Sequence, residues 1–193
     1  MSITTEVIKQ LRDATGVSIM QCKKALEEVG GDVEKAKVIL QKYSKAAADK
    51  KSERTLKAGS IASYIHQGGK VGVLVELMCE TDFVAKNEEF QVLARDIAMH
   101  IAALSPEFLK KDDIQESDMI KAKEVFAEEV EGKPADLKDK ILQGKLNAYF
   151  DEKTLLEQSF IKNPDKKISH LLDEAIQKFG EKVEVTRFIR YSI

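Results

Sequence analysis

The residues of this chain that could carry out covalent chemistry stand far apart in the sequence. The two cysteines are Cys22 and Cys79, and the three histidines are His66, His100 and His170. A catalytic thiolate needs a neighbouring basic group, and a zinc site needs closely spaced His or Cys ligands. The sequence has neither spacing, nor a glycine-rich phosphate loop. We therefore predict no catalytic residues, no metal ligands, no cofactor and no enzyme activity.

A short polar stretch that contains one large ring is the most informative segment. The letters CETDFVAKN occupy positions 79–87, between an apolar run at 71–78 and a helical pattern that begins at Glu88. Asn87 is the predicted N-cap of that helix, because its side-chain oxygen can accept a free backbone N–H. This leaves Phe83 in a turn outside the helix, where it either presents a wedge or packs into the protein's own core.

Three acidic residues lie close to this turn. Glu76, Glu80 and Asp82 are near one another in sequence, as paired catalytic carboxylates or metal ligands must be in space. Alternate strand positions followed by a turn do not converge on one substrate, however. We interpret these carboxylates as surface groups.

The region from position 4 to about 43 carries three short helical patterns. Asp32 is the predicted N-cap of the third, since Glu34 follows it in the first turn. A bundle of about 40 residues is marginal alone, so we expect it to pack on the rest of the chain or to act as a recognition head. The apolar positions of the three patterns are Val7, Ile8 and Leu11; Ile19, Cys22, Ala25 and Leu26; and Val33, Ala36, Ile39 and Leu40.

A basic segment follows, and it allows two interpretations. It is either an arm that binds phosphates or acids, or a solvated helical connector. We predict a three-helix domain over 1–43, a basic helical linker over 44–58 and a core domain over 59–193. The basic residues are Lys42, Lys45, Lys50, Lys51, Arg54 and Lys57.

The remaining pattern predicts one sheet packed with helices. Alternating residues predict strands at about 60–67 and 70–78, joined by a turn at Gly68 and Gly69, and a third strand at about 183–191. A charged helical insert at about 115–150 is expected to be a hairpin that turns at Gly132-Lys133-Pro134. The fold class is therefore α+β: a three-helix head resembling a ubiquitin-associated domain, then a three-stranded antiparallel sheet with helices and a helical hairpin.

Composition limits the classes of partner. The 193 residues are 43% hydrophobic and carry a formal net charge of −2, which does not favour nucleic-acid or anionic membrane binding by the whole chain. No run of about 18 apolar residues and no signal peptide is evident, so we expect a cytoplasmic protein with free thiols.

Several motifs together resemble those of the bacterial-type translation elongation factor Ts family. They are LRDATG at 11–16, MQCKKAL at 20–26, VGVLV at 71–75, TDFVAKN at 81–87, IAMHIA at 97–102, PEF at 106–108 and VTRFIR at 185–190. Their order along nearly the whole chain makes the resemblance specific.

The resemblance implies a guanine-nucleotide exchange factor that binds elongation factor Tu during translation elongation. In the family, the Asp and Phe of the turn reach the magnesium and phosphate site of that partner, and GDP is released. The chain is similar to short, single-core members of the family, which pair through their cores, so a homodimer is implied.

The resemblance also implies the contact residues. The exchange wedge comprises Thr81, Asp82, Phe83 and Val84, and the head contacts comprise Leu11, Ile19, Met20, Gln21, Cys22 and Lys23. Leu11, Ile19 and Cys22 could equally form the core of the head. Val71, Gly72 and His100 match further contact positions, although the strand core and a satisfied structural histidine explain them as well.

Two other function classes fit parts of the sequence. A generic adaptor would bind through the head alone and leave nucleotide release unchanged. A nucleic-acid binder would use the basic segment between Lys42 and Lys57, and its binding would weaken steeply with salt. The nearly balanced total charge counts against the second class.

Overall fold

The computed structural model describes residues 3–130 and 134–193. It confirms an α+β fold in which helices accompany a three-stranded antiparallel sheet. The helices are α1 (Thr5–Thr15), α2 (Ile19–Glu28), α3 (Val33–Asp49), α4 (Asp82–Ala85), α5 (Glu88–Leu104), α6 (Glu116–Glu129), α7 (Ala135–Lys153) and α8 (Ile168–Phe179). The strands are β1 (Ala58–Ile65), β2 (Val71–Cys79), β3 (Ser159–Phe160), β4 (Asn163–Lys167) and β5 (Glu184–Ser192), and short 3₁₀ turns span Lys111–Asp113 and Leu155–Glu157.

Helices α1, α2 and α3 form the head, and side-chain caps define where each begins. Thr4, Ser18 and Asp32 each accept a backbone N–H from the first turn, so the predicted cap at Asp32 is confirmed. Gly16 ends α1 in the left-handed conformation that glycine adopts without a steric penalty. The head encloses a small core of its own, made of Leu11, Val17, Cys22, Ala25, Leu26, Ala36 and Leu40.

Helix α3 is longer than its apolar pattern indicates. It continues past position 43 to Asp49, through three consecutive alanines at 46–48 that favour helix strongly. This second half packs on α8, where the buried Ser44 hydroxyl donates to the side-chain carbonyl of Gln177. The head is therefore tied to the core by a continuous helix, and the first part of the basic segment belongs to that helix.

The central sheet has the order β1-β2-β5, with both pairs antiparallel. β1 and β2 are joined by a tight loop in which Gly68 and Gly69 both have positive φ, as a glycine pair in a hairpin turn suggests. The backbone N–H of His66 donates to the carbonyl of Val71 at 2.9 Å and closes this loop. β5 carries a bulge at Thr186, opposite the Glu76 to Leu77 step of β2.

One face of the sheet forms the main core. Residues of β2 alternate, and Val73, Val75 and Leu77 point inward and are fully or nearly fully buried. Helix α5 covers this face with Phe90, Ala94, Ile97, Ala98 and Ile101, and α8 adds Ile168, Leu172, Ala175 and Ile176.

The charged insert forms a helical pair with its own aromatic cluster. Helices α6 and α7 bury Ala122, Leu146 and Phe150, and the rings of Phe126 and Tyr149 meet edge to face with centroids 5.4 Å apart. The predicted turn at Gly132-Lys133-Pro134 lies outside the described residues, apart from Pro134. After α7, the short hairpin of β3 and β4 is an element that the sequence pattern did not indicate.

Within the described residues, no helix is both long and apolar enough to cross a membrane. Cys22 and Cys79 are both buried free thiols, in the head and in the sheet respectively. Burial raises the pKa of each thiol, which keeps it protonated and unreactive at neutral pH.

Candidate functional site

The segment at 81–87, expected to be an irregular turn, contains a helix of a single turn. Thr81 is its N-cap, and its hydroxyl oxygen accepts the backbone N–H of Val84 at 3.4 Å. Asn87 then caps α5 by accepting the N–H of Glu89 at 2.9 Å, as predicted. Residues 80–87, here called the Phe83 turn, therefore contain the N-caps of two successive helices, Thr81 for α4 and Asn87 for α5.

The first end of the Phe83 turn is held by residues that lie about a hundred positions later in the chain. The Glu181 carboxylate accepts the backbone N–H groups of Glu80 and Thr81, each at 3.0 Å. It also accepts the Thr81 hydroxyl at 2.6 Å. In return, the Glu80 carboxylate accepts the backbone N–H of Lys182 at 2.6 Å. We call these four residues the polar clamp.

The polar clamp is reinforced by charge. Arg54 lies 3.2 Å from the Glu80 carboxylate, and the Lys182 ammonium donates to the carbonyl of Ser52 at 2.7 Å. The N–H of Lys182 and then the Arg54 guanidinium hold the pKa of Glu80 below its ordinary value, so this carboxylate stays ionised at neutral pH.

The second end of the Phe83 turn is held by the core. Val84 and Ala85 are 4% and 6% exposed, so the inner face of α4 is buried. The side-chain amide of Gln91 donates to the carbonyl of Ala85 at 2.5 Å, and its oxygen accepts the hydroxyl of Ser60 at 2.8 Å. Contacts from α5 and β1 therefore fasten the end of this short helix.

Phe83 projects from this fastened support into solvent. Its side chain is 84% exposed, so the ring does not pack into the core. Asp82 beside it is also exposed and lies 3.5 Å from the ammonium of Lys86. Of the four predicted wedge residues, Thr81, Asp82 and Phe83 form an accessible edge, and Val84 supports it from beneath.

The head presents a second exposed apolar group at the start of α2. Ile19 and Met20 are 60% and 81% exposed, and Lys23 lies exposed on the same helix. Of the two interpretations of Ile19, the structure excludes the core of the head, because the buried side of α2 consists of Cys22, Ala25 and Leu26. We call Ile19, Met20 and Lys23 the head patch.

Two further head residues lie beneath this surface. Leu11 and Cys22 are fully buried and belong to the core of the head, so they shape the head patch without being accessible themselves. Gln21 is half-buried, and its side-chain oxygen accepts the hydroxyl of Ser18, the N-cap of α2.

His100, another predicted contact position, lies away from the accessible surface. His100 is fully buried, where Nδ1 accepts the N–H of Ile161 at 3.3 Å and Nε2 lies 2.9 Å from the side-chain oxygen of Gln158. Burial lowers the pKa of His100, so the ring is neutral at neutral pH. The β3–β4 hairpin covers the ring, and we leave His100 out of the proposed contact surface.

Val71 and Gly72 are half-buried at the beginning of β2. Val71 packs against the main core, and Gly72 pairs with Ile65 of β1 and Tyr191 of β5. A Cβ atom at Gly72 would lie 3.0 Å from the Cδ1 atom of Ile65, the end of an exposed side chain that can move aside.

Glu76, the acidic residue on β2 near the Phe83 turn, has a structural role. Glu76 accepts the Thr186 hydroxyl at 2.5 Å and the Arg187 guanidinium at 2.7 Å, and these two contacts lower its pKa. Among the described residues, no group of three or more His, Cys, Asp or Glu is arranged to hold a metal ion.

The structure also brings together a surface that the sequence analysis missed. The outer face of the sheet, opposite the core, carries five large apolar side chains that are between 43% and 66% exposed. Strand alternation alone could have located them, but which face the helices cover is a tertiary property. We call these residues the outer sheet face: Ile61, Ile65, Leu74, Ile189 and Tyr191.

Comparison with known proteins gives a consistent family. The sequence profile described as elongation factor TS matches residues 33–193 of the chain. The elongation factor Ts of Thermodesulfovibrio yellowstonii is 49% identical, over 100% of this chain and 97% of the relative. Those of Thermosipho melanesiensis and Thermotoga petrophila are 47% and 45% identical, over 99% and 100% of this chain and 98% and 97% of the relatives.

Proposed function

The chain belongs to the elongation factor Ts family, and we propose that it binds elongation factor Tu and accelerates GDP release by inserting the Phe83 turn near the magnesium and phosphate site of that partner. The observation that carries this proposal is an 84% exposed phenylalanine on a helical turn that is fastened at both ends. A single exposed apolar side chain is common on protein surfaces. The support for a binding role is that this ring stands on a rigidly held turn whose letters, TDFVAKN at 81–87, match the family motif.

The proposed mechanism needs no covalent step in this chain. The Phe83 ring enters an apolar gap in the partner and displaces the elements that hold the magnesium ligands. Loss of that ion leaves the charge of the diphosphate uncompensated, and GDP dissociates faster. Linkage is reciprocal, so rebinding of nucleotide must weaken the complex by the same free energy, typically about 1 to 3 kcal/mol. The factor is thus released after each exchange.

The head patch supplies affinity in this proposal. Ile19 and Met20 would pack against an apolar helix of the partner's nucleotide domain, and Lys23 would remain at the rim. Burying such side chains contributes roughly 1.5 to 3 kcal/mol each before the cost of association. The two surfaces then have separate tasks, gripping and displacement.

The direct test is release of a fluorescent GDP analogue from purified elongation factor Tu, measured by stopped flow with and without this protein. We expect a large acceleration that saturates with protein concentration. Release at the intrinsic rate, at concentrations where the two proteins bind, would refute the exchange function and favour the adaptor class.

We also propose that the outer sheet face pairs two copies of this chain. Antiparallel sheets that face water usually show polar residues there, whereas this face is largely apolar. Leu74 lies on the central strand between Ser63 and Ile189, so a two-fold axis near it would place each apolar side chain against the other copy. The charges of Glu76 and Arg187 at one end already neutralise each other.

This pairing is tested by sedimentation at micromolar concentration. Leu74→Glu should convert a dimer into a monomer, because it would bury two like charges near the axis. Val92→Glu is the matched control, since Val92 is similarly exposed, at 52%, on α5. A wild-type chain that sediments as a monomer would refute the proposed pairing.

A further inference from the structure

We propose that Glu181 is a positioning residue for nucleotide exchange, which holds the Phe83 turn in the orientation that the partner receives. This inference rests on the proposed exchange function and adds a residue to it. Glu181 lies between α8 and β5, far from the turn in sequence, and does not belong to the TDFVAKN motif of the turn or to any other motif named above.

The Glu181 carboxylate accepts three hydrogen bonds from the beginning of the Phe83 turn. Glu181 accepts two backbone N–H groups, from Glu80 and Thr81, and one hydroxyl, from Thr81. These two residues lead out of β2 into α4, where the chain changes direction. Hydrogen bonds to an ionised acceptor are about twice as strong as neutral ones, so one side chain determines the exit direction of the strand.

The Thr81 hydroxyl connects Glu181 to the N-terminus of α4. It donates its proton to Glu181 at 2.6 Å and accepts the N–H of Val84 at 3.4 Å. A hydroxyl has one proton, so donation to Glu181 turns its lone pairs toward the helix and completes the N-cap. Without the carboxylate, the hydroxyl is free to rotate, and the first residues of α4 lose a defined cap.

The reciprocal contact makes the polar clamp rigid. The Glu80 carboxylate accepts the N–H of Lys182, so each of the two segments supplies both an acceptor and a donor to the other. Arg54 and Ser52, which follow α3, bind Glu80 and Lys182 from a third segment. The beginning of the Phe83 turn therefore cannot rotate without breaking contacts to two other parts of the core.

Rigidity matters because the ring must displace part of another protein. An element that is already ordered loses little conformational entropy on binding, so more of its binding free energy remains available to distort the partner. A mobile ring could still bind, but it would change its own conformation instead of displacing elements of the partner. Loss of the Glu181 contacts should therefore reduce the maximal exchange rate more than it reduces affinity.

The experiment is a double-mutant cycle between Glu181→Ala and Phe83→Ala, with GDP release measured at saturating protein. We expect Glu181→Ala to lower the maximal rate about tenfold, and to change the rate less than twofold when Phe83 is already alanine. Glu129→Ala removes a carboxylate that is exposed and paired with Lys145 in the helical insert, away from the Phe83 turn, and should exchange at the parent rate.

Two further measurements separate positioning from general destabilisation. Glu181→Gln keeps one acceptor oxygen and the side-chain length, so its rate should lie between those of the parent and Glu181→Ala. Amide hydrogen exchange should show loss of protection confined to positions 80–84 in Glu181→Ala, with the head and α5 unchanged.

The outcomes are distinct. If Phe83→Ala exchanges GDP at the parent rate, the exchange function proposed for the turn fails. If Phe83→Ala is slow while Glu181→Ala is as fast as the parent, the turn acts as proposed and the positioning role alone is refuted. Equal losses from Glu181→Ala in both backgrounds would also refute it, since they indicate a general structural effect.

Discussion

The Phe83 turn and the head patch expose apolar side chains to nearly the same degree, yet they are supported in different ways. Phe83 is 84% exposed and Met20 is 81% exposed. The turn is fastened to the main core by the polar clamp and by Gln91. The head patch stands on a three-helix unit with a small separate core.

This difference separates two properties of a binding surface. A rigid ring on a fixed support can displace part of a partner, because little of its binding free energy is lost in ordering the ring. Methionine has three rotatable bonds and adapts to an irregular surface, which suits a gripping contact. Equal exposure therefore does not indicate equal function, and measurements should separate the effects of the two surfaces into rate and affinity.

The largest expected effect comes from removing the ring. Phe83→Ala should lower the maximal rate of GDP release by about 10- to 100-fold, which corresponds to most of a typical coupling free energy. Stopped-flow release of a fluorescent GDP analogue measures it. The thermal stability should be nearly unchanged, since the exposed ring contributes little to the core.

Phe179→Ala is not a suitable comparison for this variant, because that ring packs edge to face on Phe90. Val125→Ala, at an exposed position of α6, is the better control and should exchange at the parent rate. A parent-like rate for Phe83→Ala would show that the Phe83 turn does not displace elements of the partner, and the proposed difference between the turn and the head patch would fail.

The second effect concerns the head patch. Changing Ile19 and Met20 together to alanine should weaken binding to nucleotide-free elongation factor Tu by about tenfold or more, because two buried apolar contacts are lost. The exchange rate at saturation should stay close to that of the parent. Titration of the exchange rate against protein concentration gives both quantities in one experiment.

Val38→Ala is the control within the head, since Val38 is 51% exposed on α3 and lies outside the head patch. If the double variant instead lowers the saturated rate with unchanged affinity, the two surfaces do not divide the work as we propose.

The smallest effect is on stability, and it distinguishes the main core, where His100 is buried near the end of α5, from the head. Burial lowers the pKa of His100, so the unfolded chain binds a proton at higher pH than the folded chain does. This contribution to stability is complete above about pH 6.5 and declines as the pH falls toward the folded-state value, by at most about 1.4 kcal/mol per pH unit.

Hydrogen exchange between pH 7 and pH 5 should show this loss around α5 and the β3–β4 hairpin. The intrinsic pH dependence of exchange must first be removed. The head contains no histidine, so it should not share the effect. His100→Gln should flatten the pH dependence of stability in this interval. An unchanged dependence in that variant would show that other groups cause it.

Local features of the fold were predictable from the sequence. The caps at Asp32 and Asn87, the hairpin turn at Gly68 and Gly69, and the long helix α5 depend on contacts within a few residues. The basic segment was predicted as a helical linker over 44–58, whereas its helical part is the continuation of α3, which ends at Asp49. The two-residue strand β3 was missed because it is too short to show a period.

The candidate site was predictable in part. The motif located the Phe83 turn, but the sequence left Ile19 open between a contact residue and the core of the head, since it follows the same spacing as Cys22 and Leu26. The first residue of a helix can point away from its neighbours in a small bundle, and Ile19 does. For His100 the sequence left a partner contact and a structural histidine open, and the structure shows a buried ring covered by the β3–β4 hairpin.

By itself, the sequence determined the family, the α+β class, the helix caps and the position of the Phe83 turn, because these depend on short-range patterns and on motifs in a given order. Only the tertiary structure decided that the ring is exposed, that the outer sheet face is uncovered, and that Glu181 holds the turn. These depend on which segments meet in space, and contacts across a hundred residues leave no periodic trace in the chain.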